Sequence, residues 1–85
     1  LASKKTMFKL IGFYLDVNQK KYVDLVLNNC ENVTNRESQS FKDNPNCEKY
    51  GITSFPAFAL LKNNVLTRTV IGKYPIKTIK SKLLI

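Results

Sequence analysis

The sequence has 85 residues, enough for one small domain with a modest core, and its 44% hydrophobic and 24% charged residues match ordinary globular usage, which excludes a disordered chain. Fourteen Lys and Arg against six Asp and Glu give +8 at pH 7, a charge that draws acidic partners from a distance and also keeps a small surface solvated. There is no His, the commonest general base, and two Cys alone cannot close a four-ligand zinc site, so neither a cofactor nor a metal is expected.

In chain order, the opening LASKKT lacks the long apolar core of a signal peptide, and no apolar run approaches the about 20 residues needed to cross a bilayer. A soluble domain without a membrane span is expected. Starting at Leu1 rather than Met, it reads as a processed product or a piece of a longer, multidomain protein. Phe8 to Leu15 (FKLIGFYL) is almost continuously apolar and fits a central strand buried on both faces. Asp16 or Asn18 can cap the following helix, in which Val23, Val26, Leu27 and Cys30 recur at helical spacing as one buried stripe opposite Lys20, Lys21, Asp24 and Asn28. The helix should stop near Asn28-Asn29.

Residues 31–40 are polar enough for a loop, with a short second strand expected over Gln39 to Lys42 around Phe41. Asp43-Asn44-Pro45-Asn46 collects turn and cap residues ahead of a short helix from Pro45 to Tyr50, which Gly51 can end in the left-handed conformation. Pro56 to Leu61 (PAFALL) is a second buried strand. Lys62-Asn63-Asn64 turns it, since Asn tolerates positive φ, and Val65 to Ile71 returns antiparallel. Tyr74-Pro75 opens a last helix with Ile76, Ile79 and Leu83 inward and Lys77, Lys80 and Lys82 toward water. The order is β-α-β-α-β-β-α, an α/β arrangement without internal repeat or linker.

Residues 47–73 carry a more specific pattern. Tyr50-Gly51-Ile52, Ser54-Phe55-Pro56, the apolar strand, Lys62-Asn63-Asn64 and Ile71-Gly72 resemble the aromatic-Gly-Val/Ile, small-x-Pro, strand, Lys-x-Gly and Val-Gly series of thioredoxins and protein disulfide isomerases. With the first strand and helix, the resemblance covers residues 8–84. It implies a single thioredoxin-like domain, a four-stranded mixed sheet flanked by helices, with Pro56 as the family's cis-proline. A cis X-Pro bond there exposes the backbone of Phe55 to a passing peptide.

The family places its Cys-x-x-Cys after the first central strand, at the start of the next helix. Aligning Phe13-Tyr14 on the family's Phe-Trp puts Asn18-Gln19-Lys20-Lys21 there, and these side chains cannot perform thiol–disulfide exchange. Gly12 stands where many thioredoxins hold a buried acid, and Val26 stands near an expected helix-bending proline. Such departures resemble the redox-inactive domains found within protein disulfide isomerases.

Cys30 and Cys47 lie 17 positions apart and cannot form the redox motif. They pack as small hydrophobes or form a disulfide tying the middle loop, worth about 3 kcal/mol if unstrained. The resemblance favours the bond, since several isomerase-like domains carry a Cys three residues before the aromatic-Gly position. Asn32-Val33-Thr34 is an N-glycosylation sequon, which with the isomerase resemblance points to the endoplasmic reticulum lumen.

The expected function is therefore non-enzymatic binding of unfolded or partner polypeptide, a chaperone role in protein folding, alongside neighbouring domains of the same chain. Tyr14, Val17, Phe55, Pro56 and Gly72 would form the peptide-binding patch. Two alternatives stay open: a thiol-disulfide oxidoreductase using Cys30 and Cys47, and a basic adaptor for an acidic partner or nucleic acid using Lys73, Lys77, Lys80 and Lys82. Nucleic acid is disfavoured because the aromatics lie in core strands rather than among the basic residues.

Overall fold

Apolar residues on both faces make β1 (Phe8–Tyr14) and β3 (Ala57–Lys62) the centre of the sheet, and Ile11, Phe13, Phe58 and Ala59 are almost fully buried. The computed structural model describes residues 7–43 and 45–85, so the N-terminal segment read for a leader and Asn44 of the expected turn lie outside the described residues. Around the central pair come α1 (Val17–Asn28), β2 (Asn35–Ser40), a 3-10 turn (Phe41–Asp43), α2 (Asn46–Lys49), β4 (Val65–Ile71) and α3 (Ile76–Leu83). The sheet order is β2-β1-β3-β4, with β1 parallel to β2 and antiparallel to β3, and β4 antiparallel to β3. This is the expected β-α-β-α-β-β-α order: a mixed four-stranded sheet flanked by helices.

The pleat divides the interior in two. Leu10, Phe58 and Leu60 join Val23 and Val26 from α1, Cys30 just past its end, and Ile79 and Leu83 from α3 on one face. Ile11, Phe13, Ala57 and Ala59 join Cys47 of α2 and Ile52 on the other. Of the two readings left open for the cysteines, the structure takes separate packing rather than a Cys30–Cys47 disulfide. Both residues are free, buried thiols, and they belong to cores on opposite faces of the sheet.

Gly12 sets how closely α1 rides on the sheet. A Cβ there would stand 2.3 Å from Val23 Cγ1, so the missing side chain at this position lets helix and strand meet. Asp16, the first of the two expected caps, accepts from the Gln19 backbone N–H at 2.9 Å. At the other end, Arg36 of β2 donates to the Leu27 carbonyl at 2.8 Å, placing a cation at the negative end of α1.

The second strand differs from expectation. It runs over Asn35–Ser40 rather than Gln39 to Lys42, and Phe41 falls in the 3-10 turn. As an edge strand in parallel register with β1, from Lys9 opposite Asn35 to Tyr14 opposite Ser40, it is held by ladder hydrogen bonds and a 3.1 Å Lys9–Glu37 ion pair. The β3–β4 hairpin turns on Asn63 (φ 51°) and Asn64 (φ 68°), the two positive φ values that a two-residue type I′ turn needs. Gly51 adopts φ 72°, as expected for the end of α2.

Candidate functional site

At one end of the sheet the chain enters β3 through a cis Phe55–Pro56 peptide bond. The Pro56 ring is buried, and its carbonyl accepts from the Gly72 N–H at 2.9 Å, which brings the end of β4 to the proline. Gly72 has φ 119°, a conformation that favours glycine, and a Cβ there would press on the Tyr74 ring at 3.2 Å.

The first turn of α1 meets the same place. Gln19 accepts from the Leu15 N–H at 2.8 Å and donates through Nε2 to the Phe55 carbonyl at 3.4 Å. Val17, the first residue of α1, is 65% exposed, and Leu15 beside it is 41% exposed. The Phe55 ring packs against Phe41, with centroids 5.4 Å apart, and the two rings line a shallow cleft with Pro45, Cys47 and Ile52.

Of the sequence-derived binding residues, Phe55, Pro56 and Gly72 are joined directly, and Val17 stands two residues from Gln19, which reaches Phe55. Tyr14 is not brought into this patch. Its position in the pleat, following Leu10 and Gly12, turns it toward the α1 core, where the Lys20 ammonium lies 6.0 Å from its ring centre. Phe55 packs against the core on the other face. Sequence reasoning missed Gln19 and Phe41. Their partners lie 36 and 14 positions away, and no local pattern signals such contacts.

The electrostatics of α1's first turn are modest. Lys20 pairs with Asp24 at 2.8 Å, and that hydrogen bond with its charge holds the ammonium above the usual lysine range. Burial pushes the Cys30 thiol up, with Lys80 and Arg36 pulling partly back, and burial likewise raises Cys47. Asn32 and Thr34 of the sequon are exposed on the turn before β2, anchored by Val33, which is 1% exposed. Among the described residues, no helix is long and apolar enough to cross a membrane.

No family model and no curated protein matches the sequence. Solved structures do match. A mutant thioredoxin from Halobacterium salinarum NRC-1 superposes with a TM-score of 0.71 at 18% identity, over 87% of this chain and 69% of that one. Fasciola hepatica thioredoxin gives 0.69 at 16% identity, over 94% and 82%. Thioredoxin-2, described as a component of malaria parasite protein secretion machinery, gives 0.69 at 13% identity, over 98% and 86%. The chain has the thioredoxin fold. At these identities the likeness is one of fold alone. Within that thioredoxin fold, Asn18, Gln19, Lys20 and Lys21 form the first turn of α1, the place to which the resemblance assigns the redox cysteines, and Cys30 and Cys47 lie elsewhere.

Proposed function

We propose that this thioredoxin-fold chain is a domain of the protein disulfide isomerase kind that binds unfolded or partner polypeptide, without redox chemistry of its own, in the endoplasmic reticulum lumen. The observation that carries the reading is the meeting of α1's first turn with Phe55 immediately before the cis bond, with Gln19 at the contact and no thiol in the turn. An extended client gains main-chain hydrogen bonds from the backbone at Phe55 and apolar contact from Leu15, Val17, Phe41 and Phe55. The 3.4 Å Gln19–Phe55 hydrogen bond is long for an N–H···O contact, so a client N–H displaces it at little cost.

The thiols support the non-redox part. The thiolate is the nucleophile in disulfide exchange, and burial disfavours it at both residues while the sheet keeps them apart. The exposed Asn32 and Thr34 support the lumenal placement, since a glycan acceptor must be reachable on a surface turn.

Fluorescence anisotropy with a permanently unfolded, neutral client tests the reading. Phe55→Ala is expected to weaken binding by roughly tenfold, the loss typical of truncating an aromatic anchor. Unchanged affinity in a folded variant defeats the groove. In an insulin-reduction assay the chain should behave as its Cys30→Ser/Cys47→Ser variant does, whereas activity that vanishes in that variant would make it an oxidoreductase.

A further inference from the structure

The charge of this chain is unevenly placed. All six acids lie between Asp16 and Glu48, while residues 49–85 hold Lys49, Lys62, Arg68, Lys73, Lys77, Lys80 and Lys82 and no acid at all. Among the described residues the ion pairs are Lys9–Glu37 and Lys20–Asp24, so the lysines in and beside α3 carry uncompensated charge.

Three of them follow the seam between α1 and α3. The Lys73 ammonium sits 5.5 Å from the centre of the Tyr22 ring on α1. The Tyr22 hydroxyl donates to the Tyr74 carbonyl at 2.6 Å and accepts from the Tyr74 N–H at 3.1 Å, which pins the approach to α3 against α1. Further along, Lys77 and Lys80 line an open cleft with Asn29, Ser81 and Ile85, where α1 ends. Leu25, one turn before Asn29 and on the same side of α1, is 54% exposed. The seam therefore has Lys77, Lys80 and the partly buried Ile76 and Ile85 on the α3 side, and the Asn29 amide, with exposed Leu25 one turn away, on the α1 side.

We propose that this seam binds an acidic, extended segment of a partner polypeptide in which Asp or Glu alternate with apolar residues. The seam meets the cis-proline edge only at its Lys73 end, next to Gly72, and does not depend on the function proposed there. Carboxylates meet Lys73, Lys77 and Lys80, and the interleaved apolar side chains meet Ile76 and Ile85 in the cleft. A nucleic acid fits less well. The rings of Tyr22 and Tyr74 each already hold a lysine ammonium, Lys73 at 5.5 Å and Lys82 at 4.9 Å from their centres, which competes with base stacking. A membrane surface fits less well too, because α3 spends its apolar stripe, Ile79 and Leu83, on the core.

The test uses the whole chain and a short fluorescein-labelled peptide of alternating Glu and Leu, with a Gln-for-Glu peptide as control, at low and at physiological salt. The Glu peptide should bind, weaken as salt rises, and bind better than the Gln peptide. Lys77→Gln/Lys80→Gln should lower its affinity roughly tenfold, whereas Lys49→Gln/Lys62→Gln, which removes equal charge elsewhere, should change it less than about twofold. Should the half-buried Lys80 prove necessary for folding, Lys77→Glu at its exposed position reads the same loss. Equal losses in the two double variants would overturn the proposal, since total charge rather than the seam would then bind. Tighter capture of single-stranded RNA or phosphatidylserine vesicles through Lys77 and Lys80 would overturn it as well, in favour of that ligand.

Discussion

Replacing Gly12 with Ala probes the contact that places α1, and through α1 the candidate site. The added methyl would fall 2.3 Å from Val23 Cγ1 and 3.2 Å from Phe58 Cε1. Carbon atoms in contact normally stand about 3.5–4.0 Å apart, so Val23 must retreat by more than ~1 Å. Val23 is fully buried, and a helical Val has one strongly preferred rotamer, so α1 has to move rather than the side chain. Overpacking of this kind costs about 1–3 kcal/mol. At ~2 kcal/mol the thermal midpoint of a domain this size falls by roughly 8–16 °C. The assay is thermal and urea unfolding followed by circular dichroism, with Val23→Ala and the double variant measured beside Gly12→Ala. Removing the two γ-methyls of Val23 clears the space, so Gly12→Ala should cost much less in that background. A midpoint unchanged by Gly12→Ala, or an equal loss in both backgrounds, would show that α1 does not press on β1 at this point.

Asp16→Ala removes the oxygen that accepts from the Gln19 N–H, and should lower stability by about 1 kcal/mol while hydrogen exchange at Gln19 and Lys20 accelerates. Unchanged exchange there would mean that the first turn of α1 is held by something other than its cap. Mass spectrometry after unfolding without reductant, with alkylation, should count two free thiols, and a single disulfide-linked species would contradict the two-core separation. Because burial raises both thiol pKa values, the unfolded chain loses these protons first. The associated stability is fully present below the unfolded thiol pKa and is lost as pH climbs from there toward the folded value. Urea midpoints should therefore decline in the alkaline range, and less steeply in Cys30→Ala/Cys47→Ala. An identical decline in that variant would remove the thiols as its cause.

The central strands could be read from the chain because burial on both faces demands unbroken apolar runs, and FKLIGFY and AFALLK supply them. The Asn63-Asn64 turn was equally legible, since few residue pairs adopt two successive positive φ values without strain. The strand β2 was not. Its residues NRESQS pack little apolar area, and an edge strand held by backbone ladder bonds leaves scarcely any trace in hydrophobic pattern.

The candidate site was legible only in part. Phe55, Pro56 and Gly72 carry family-like motifs, so the resemblance reached them. Tyr14 stands at the strand end beside the patch, but strand pleat decides the direction of its ring, and the alternation of Leu10, Gly12 and Tyr14 points it away from Phe55. The face taken by α2, and with it the separation of Cys47 from Cys30, follows from the path of the chain from edge strand β2 across β1 to β3. Spacing along the sequence carries no such information. Contacts such as Gln19 with Phe55 arise only once those elements have assembled.

The most direct test of the account is a residue-resolved NMR titration of the labelled chain with an unfolded, neutral client polypeptide at physiological salt. Binding at the cis-proline edge predicts saturable shifts clustered at Val17, Gln19, Phe55 and Gly72, with Tyr14 on the far face much less affected. An unperturbed spectrum, or shifts confined to Lys73, Lys77, Lys80 and Lys82, would contradict it.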